Sequence, residues 1–263
     1  MKFLGIFTIF TVLFFGNSKL IELNENNFIS LRGTVNSDSV SRWVRDVNLI
    51  NSNDIYLYIK SPGGSVTQGM AFIQQINALQ ESGKNIHCIA DFAASMAFII
   101  FQSCPHRYIL SSSILMQHQM SLELKGNLEN LQNYLVFIDE INSVAINKQA
   151  SRINMTSVDF QNKVMNDWWI SGNFALENNL ADEIVNVKCE KSLFNTIEEI
   201  DINTIFGKIV LEFYSCPIIN NPVKINSEIN ANQKINYYDH IKYFIPDFAM
   251  NELRKKNYVA SNI

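Results

Sequence analysis

A serine at position 95 opens an apolar helical segment directly after a run of small residues, in "ADFAASMAF" (90–98). Small residues at a strand-to-helix junction give the geometry that lifts a hydroxyl over a sheet edge, where it can act as a nucleophile. Downstream, "LMQHQM" sets His118 next to an apolar strand, a side chain suited to take the hydroxyl's proton. Upstream, "KSPGGSV" (60–66) places a proline and two glycines between a strand pattern and a helix pattern. Glycines there let the backbone take positive φ and approach a ligand, with N–H groups of the helix start pointing at it. A lone Pro-Gly-Gly is equally an ordinary tight turn. The three stretches together supply what acyl transfer needs: a nucleophile, a base, and two backbone donors for a tetrahedral oxyanion.

These residues need a scaffold, and the hydrophobic spacing describes one. "FISLRG" (28–33) and "DIYLYI" (54–59) read as strands, separated by helical spacing through Val40, Trp43, Val44 and Val47. Val66, Met70, Ile73, Ile76 and Leu79 mark a helix over 65–80, "NIHCIA" (85–90) a strand, and "ASMAFIIFQ" a short helix. "RYIL" and "SILMQH" are strand-like, and 127–151 is a long amphipathic helix through Leu131, Leu135, Ile138, Ile141 and Ala145. Short helices around 157–166 and 172–179 and a closing strand "DEIVNV" come after it. This alternation over the first 190 residues predicts an α/β core with much parallel pairing. Beyond Cys189 the composition shifts to Asn, Ile and Lys, broken by Pro217, Pro222 and Pro246, and reads as a weakly structured extension over 190–263.

With 263 residues, 47% hydrophobic and 17% charged, the chain can bury one sizeable core. A net charge of -4 and scattered basic residues argue against a nucleic-acid partner. Residues 1–18 have the shape of a signal peptide: Lys2, an apolar run from Phe3 to Phe15, then small residues. That points to a secretory or extracytoplasmic location, with a docked cytoplasmic strand or helix as the alternative, and the run is too short for a stable membrane span. Cys88, Cys104, Cys189 and Cys216 lack C-x-x-C spacing and His87, His106 and His240 lack ligand spacing, so no metal or cofactor is expected. A disulfide is open to the chain if it is secreted.

"DIYLYIKSPGGSVTQGM", "AASMAF", "RYIL" with "LMQHQ", and "ISGNFALENNLADEIV" resemble, in order, the motifs of the Clp protease proteolytic subunit within the ClpP/crotonase superfamily. The resemblance covers about residues 28–187 and implies a repeated β-β-α superhelical core with a long protruding helix, within a domain over 19–189. It implies a serine-type endopeptidase that acts on unfolded or flexible polypeptides, with Ser95 as nucleophile, His118 as general base, and the N–H groups of Gly64 and Met96 as oxyanion donors. It also implies a homo-oligomer, the 127–151 helix resembling the family's ring-to-ring handle. No counterpart of the family's axial-loop segment precedes "FISLRG", which argues against an unfoldase ATPase partner.

Read back without gaps from "NDWWISG", the family's triad aspartate falls on Lys163, whose cation cannot stabilise an imidazolium. Asp159 and Asp167 stand four residues either side of it, on one face if the helix continues, and Asp167 is the preferred substitute. Lys125 as a Ser/Lys dyad base is disfavoured by its polar setting in "ELKGN". Two other functions stay open: a catalytically impaired assembly or binding module, for which Lys163 argues, and crotonase-type chemistry on an acyl-thioester, against which the Ser/His pair argues.

Overall fold

In the structure, a computed structural model, residues 18–122, 124–204 and 207–227 are described. Strand β1 (Lys19–Leu23) comes first, followed by β2 (Phe28–Arg32), helix α1 (Ser37–Leu49) and β3 (Asp54–Ser61). Helix α1 starts where Asn36 and Ser39 form a reciprocal capping box, and it buries Val40, Trp43 and Val47 at helical spacing. After it come α2 (Val66–Glu81), capped by Ser65, then β4 (Asn85–Ala94), α3 (Met96–Ser103) and β5 (His106–Gln117). "RYIL" and "SILMQH" are thus one long strand.

Each helix carries the chain back across the sheet, so β2, β3, β4 and β5 pair in parallel in that order. Between Ala90 and Phe92 of β4 the register against β5 jumps from Ile109 to Ile114. Ser113 fills the gap, its hydroxyl donating to Ala90 O at 2.5 Å and accepting from Leu110 N at 2.7 Å. Bulges of this kind bend a strand and re-aim its remaining residues, and here the re-aimed ends carry Ser95 and His118.

The long helix α4 (Leu128–Arg152) buries only Ile146, Gln149 and Ala150, all near its C-terminal end. Helix α5 (Ser157–Val164), strand β6 (Trp168–Ser171), helix α6 (Gly172–Glu177) and strand β7 (Glu183–Cys189) complete the domain. Strand β6 runs antiparallel on the end of β5, and β7 pairs with both β5 and β1. Neither β1 nor β6 stood out in the sequence, since "KLIEL" and "WWIS" are too short to display a period. The mixed α/β architecture with a mostly parallel central sheet is the expected fold class.

The extension read as weakly structured contains a short 3₁₀ turn (Lys191–Phe194) and three antiparallel strands, β8 (Ile197–Thr204), β9 (Gly207–Tyr214) and β10 (Lys224–Ser227). Leu193 and Cys216 of this unit pack with Phe28, Tyr58, Ile89 and Tyr108 of the main sheet. Ile209, Leu211 and Phe213 are also buried, and the buried Arg32 lies over the Phe213 ring and donates to Ile219 O at 3.1 Å. A Cys189–Cys216 disulfide fixes the unit, and Cys88–Cys104 ties β4 to the end of α3. The sequence hid this unit because a short meander with a polar face and prolines at its bends has the composition of a tail. Replacing Cys189 and Cys216 together by alanine should lower unfolding free energy by about 3 kcal/mol, read from chemical denaturation. An unchanged midpoint would show that packing alone secures the sheet.

The leader, apart from Ser18, and the end of the chain from 228, with His240, lie outside the described residues. Among the described residues, no helix is long and apolar enough to cross a membrane.

Candidate active site

Ser95 is the residue between β4 and α3, and its backbone sits at φ 54° and ψ −122°. A non-glycine residue in this region is held at a cost of order 1–3 kcal/mol, which its surroundings must supply. They do so by burial and pairing. Ser95 N donates to Met116 O at 2.9 Å, and Met96, Ala97, Phe98, Ile100 and Phe101 are all buried beneath it. The hydroxyl caps no helix N–H and is turned instead toward His118, with Oγ 2.9 Å from Nε2. That is direct hydrogen-bond reach, suited to proton transfer.

The Pro-Gly-Gly turn stands immediately over this junction. Val35 N donates to Gly63 O and Ser65 N to Val35 O, both at 2.8 Å. The flanking residues therefore take up the pairing with Val35, and the N–H of Gly64 faces the other way. A side chain at Gly63 would meet Ala94 O at 2.5 Å and Met96 N at 2.7 Å, so the glycine allows the turn to rest on the nucleophile's own backbone. Met96 N belongs to the first turn of α3, where helix N–H groups have no intrahelical acceptor. Gly64 and Met96 also line, with Ser95 and His118, a cavity of about 430 Å³. On the opposite face of β3, Lys60 is paired with Asp91 at 3.0 Å, and burial pulls its ammonium below the usual lysine range against that carboxylate.

The three residues weighed for the acid separate clearly. Helix α5 ends at Val164, so Asp159, Lys163 and Asp167 do not share one helical face as the spacing suggested. Asp159 is engaged with the cap of α5, accepting from Thr156 Oγ1 at 2.6 Å. Lys163 lies over the Trp168 ring, 5.6 Å from its centroid, and borders a depression with Trp169 and Phe174 rather than the cavity. Asp167 is exposed and precedes β6, where Trp168 pairs with Gln117. That register ends at the Trp168–Gln117 pair, with Asp167 one residue before it on its strand and His118 one residue after it on the other. Lys125 is exposed and outside the cavity.

Sequence reasoning missed a buried amide pair. Gln117 donates through Nε2 to Gln149 Oε1 at 2.5 Å and accepts from His118 N at 3.1 Å, while Gln149 Nε2 donates to Ala145 O at 3.1 Å. The available signal was parity: in "ILMQH" Gln117 alternates with Leu115 and so belongs to the buried side. His87, given no role, is stacked between Tyr56 and His106 at 4.9 and 4.8 Å, away from the cavity.

A mostly parallel α/β core thus holds a serine at positive φ, a histidine at hydrogen-bond distance from it and a glycine turn beside both. The Clp protease family model matches residues 17–188, and the chain belongs to that family. Its members are peptidases that assemble into oligomers and act on polypeptides.

Proposed function

We propose that this protein is a serine endopeptidase that hydrolyses peptide bonds through an acyl-enzyme on Ser95. The observation that carries the reading is the 2.9 Å approach of Ser95 Oγ to His118 Nε2 in the lining of the cavity. Ser95 Oγ attacks the scissile carbonyl as His118 Nε2 accepts its proton, and the oxyanion is held by the N–H groups of Gly64 and Met96. His118 then protonates the departing amine. Water then attacks the acyl carbon as His118 takes its proton, and His118 returns that proton to Ser95 Oγ as the acid product leaves. Asp167 holds the imidazole orientation, a role supported by its place next to Trp168, whose strand partner Gln117 precedes His118.

The exposed apolar residues Leu128, Leu135, Val136, Phe137 and Val144 on α4 fit a contact with a second copy of this chain, so the working form is a homo-oligomer. The leader pattern and two disulfides support an extracytoplasmic location, where cystines persist. A second reading, an impaired family member kept as an assembly module, is favoured by the exposed carboxylate of Asp167 outside the cavity.

Intact-mass analysis after fluorophosphonate treatment separates the two. One adduct per chain is expected, lost in Ser95→Ala and in His118→Ala. A folded, oligomeric sample that takes up no probe at neutral or alkaline pH assigns the protein to the module reading.

A further inference from the structure

The cavity beside Ser95 has both apolar and amide side chains in its lining. Ile146, Phe160 and Val164 are apolar, Gln119, Asn142, Gln161 and Asn162 bring less buried amides, and Gln117 and Gln149 bring a pair of amides that are 4% and 6% exposed. These amides are only partly used. Gln117 Nε2 has one hydrogen on Gln149 Oε1, and Gln149 Nε2 has one on Ala145 O. Each amide nitrogen carries a second hydrogen, so two donors remain for whatever enters.

An aliphatic side chain pressed against that pair would displace water and leave the donors without acceptors, at the cost of unpaired buried polar groups. A neutral side chain ending in a carbonyl would satisfy a donor while its methylenes pack on the apolar walls. A carboxylate would lose more hydration than the neutral amides return.

We infer that the Gln117–Gln149 pair makes this site select a neutral side chain with a terminal hydrogen-bond acceptor, glutamine above leucine, at the residue that supplies the scissile carbonyl. The inference rests on the reading of Ser95 as nucleophile. Because Gln117 also accepts from His118 N, its replacement would disturb the base, so Gln149 is the position to change.

The experiment compares labelling rates, by intact mass, of two peptidyl diphenyl phosphonates that differ only in a glutamine-like or leucine-like side chain at phosphorus, beside a plain fluorophosphonate. The full-length protein should react about tenfold faster with the glutamine-like probe, and Gln149→Met should remove or invert that ratio. A ratio discounts general loss of reactivity, which would slow both probes alike. Equal rates, a leucine preference in the wild type, a ratio unmoved by Gln149→Met, or reaction with the fluorophosphonate alone each overturn the inference. If the fluorophosphonate also fails, the nucleophile reading falls and the selectivity with it.

Discussion

Asp167→Asn should lower peptide turnover by about 10⁴-fold while Ser95 and the fold stay in place. The reason is the sheet register. Trp168 and Gln117 are the last pair of β6 and β5, and Asp167 and His118 are the residues that flank that pair in sequence. An asparagine there would favour the wrong imidazole tautomer and leave the imidazolium formed during attack without a counter-charge. Asp159 and Lys163 provide the contrast. Asp159→Asn touches the Thr156 cap and should cost about 1 kcal/mol of stability with little change in rate. Lys163→Ala removes only a contact with Trp168 and should leave turnover within a few-fold. Steady-state rates on a quenched peptide, with thermal unfolding as the control for fold, read all three. A wild-type rate in Asp167→Asn would remove this residue from the mechanism.

Gly63→Ala is the second large effect, expected to reduce kcat by about 10²–10³-fold. The new methyl would stand 2.5 Å from Ala94 O and 2.7 Å from Met96 N, and both atoms belong to the backbone that fixes Ser95. Neither can swing aside as a long side chain could, so the turn must lift, taking the neighbouring Gly64 donor with it. The positive φ of 89° adds strain of its own. Gly83→Ala isolates that part, because Gly83 has φ 92° with nothing within 4 Å of the added carbon. It should lower stability by about 1 kcal/mol and leave kcat alone. Equal loss in both variants would mean that the Gly63 effect is general backbone strain rather than damage to the oxyanion turn.

Much of the fold was legible because its central strands are buried on both faces. "DIYLYI" and "NIHCIA" advertise themselves by composition, and the helices between them carry apolar residues at three and four. The pairing of Ser95 with His118 was legible as motif and order, since both lie at ends of such strands. The features that stayed hidden depend on where an element stops. The break after Val164 separates Asp167 from Asp159 and Lys163, and no cap residue marks it. Periodicity likewise cannot register a four-residue strand such as β6, although β6 pairs with β5 up to Gln117, the residue before His118. The Gln117–Gln149 bond joins a strand to a distant helix, and neither residue's local pattern names the other.

Strand β1 pairs in parallel with β7, Leu23 beside Cys189, and Glu190 N donates to Leu23 O at 2.8 Å. The earliest strand of the domain therefore waits, during synthesis, until almost all the rest has left the ribosome. Its ladder is among the most distant contacts in sequence, and such contacts form late because loop closure precedes any gain from pairing. Cys189 ends that ladder and also joins Cys216, so the cystine sits at the end of the last seam. The cystine thus acts as a seal on the order of assembly: a chain released before residue 216 could lay down the nucleophile's elbow, yet could not lock the strand that closes the sheet's far edge.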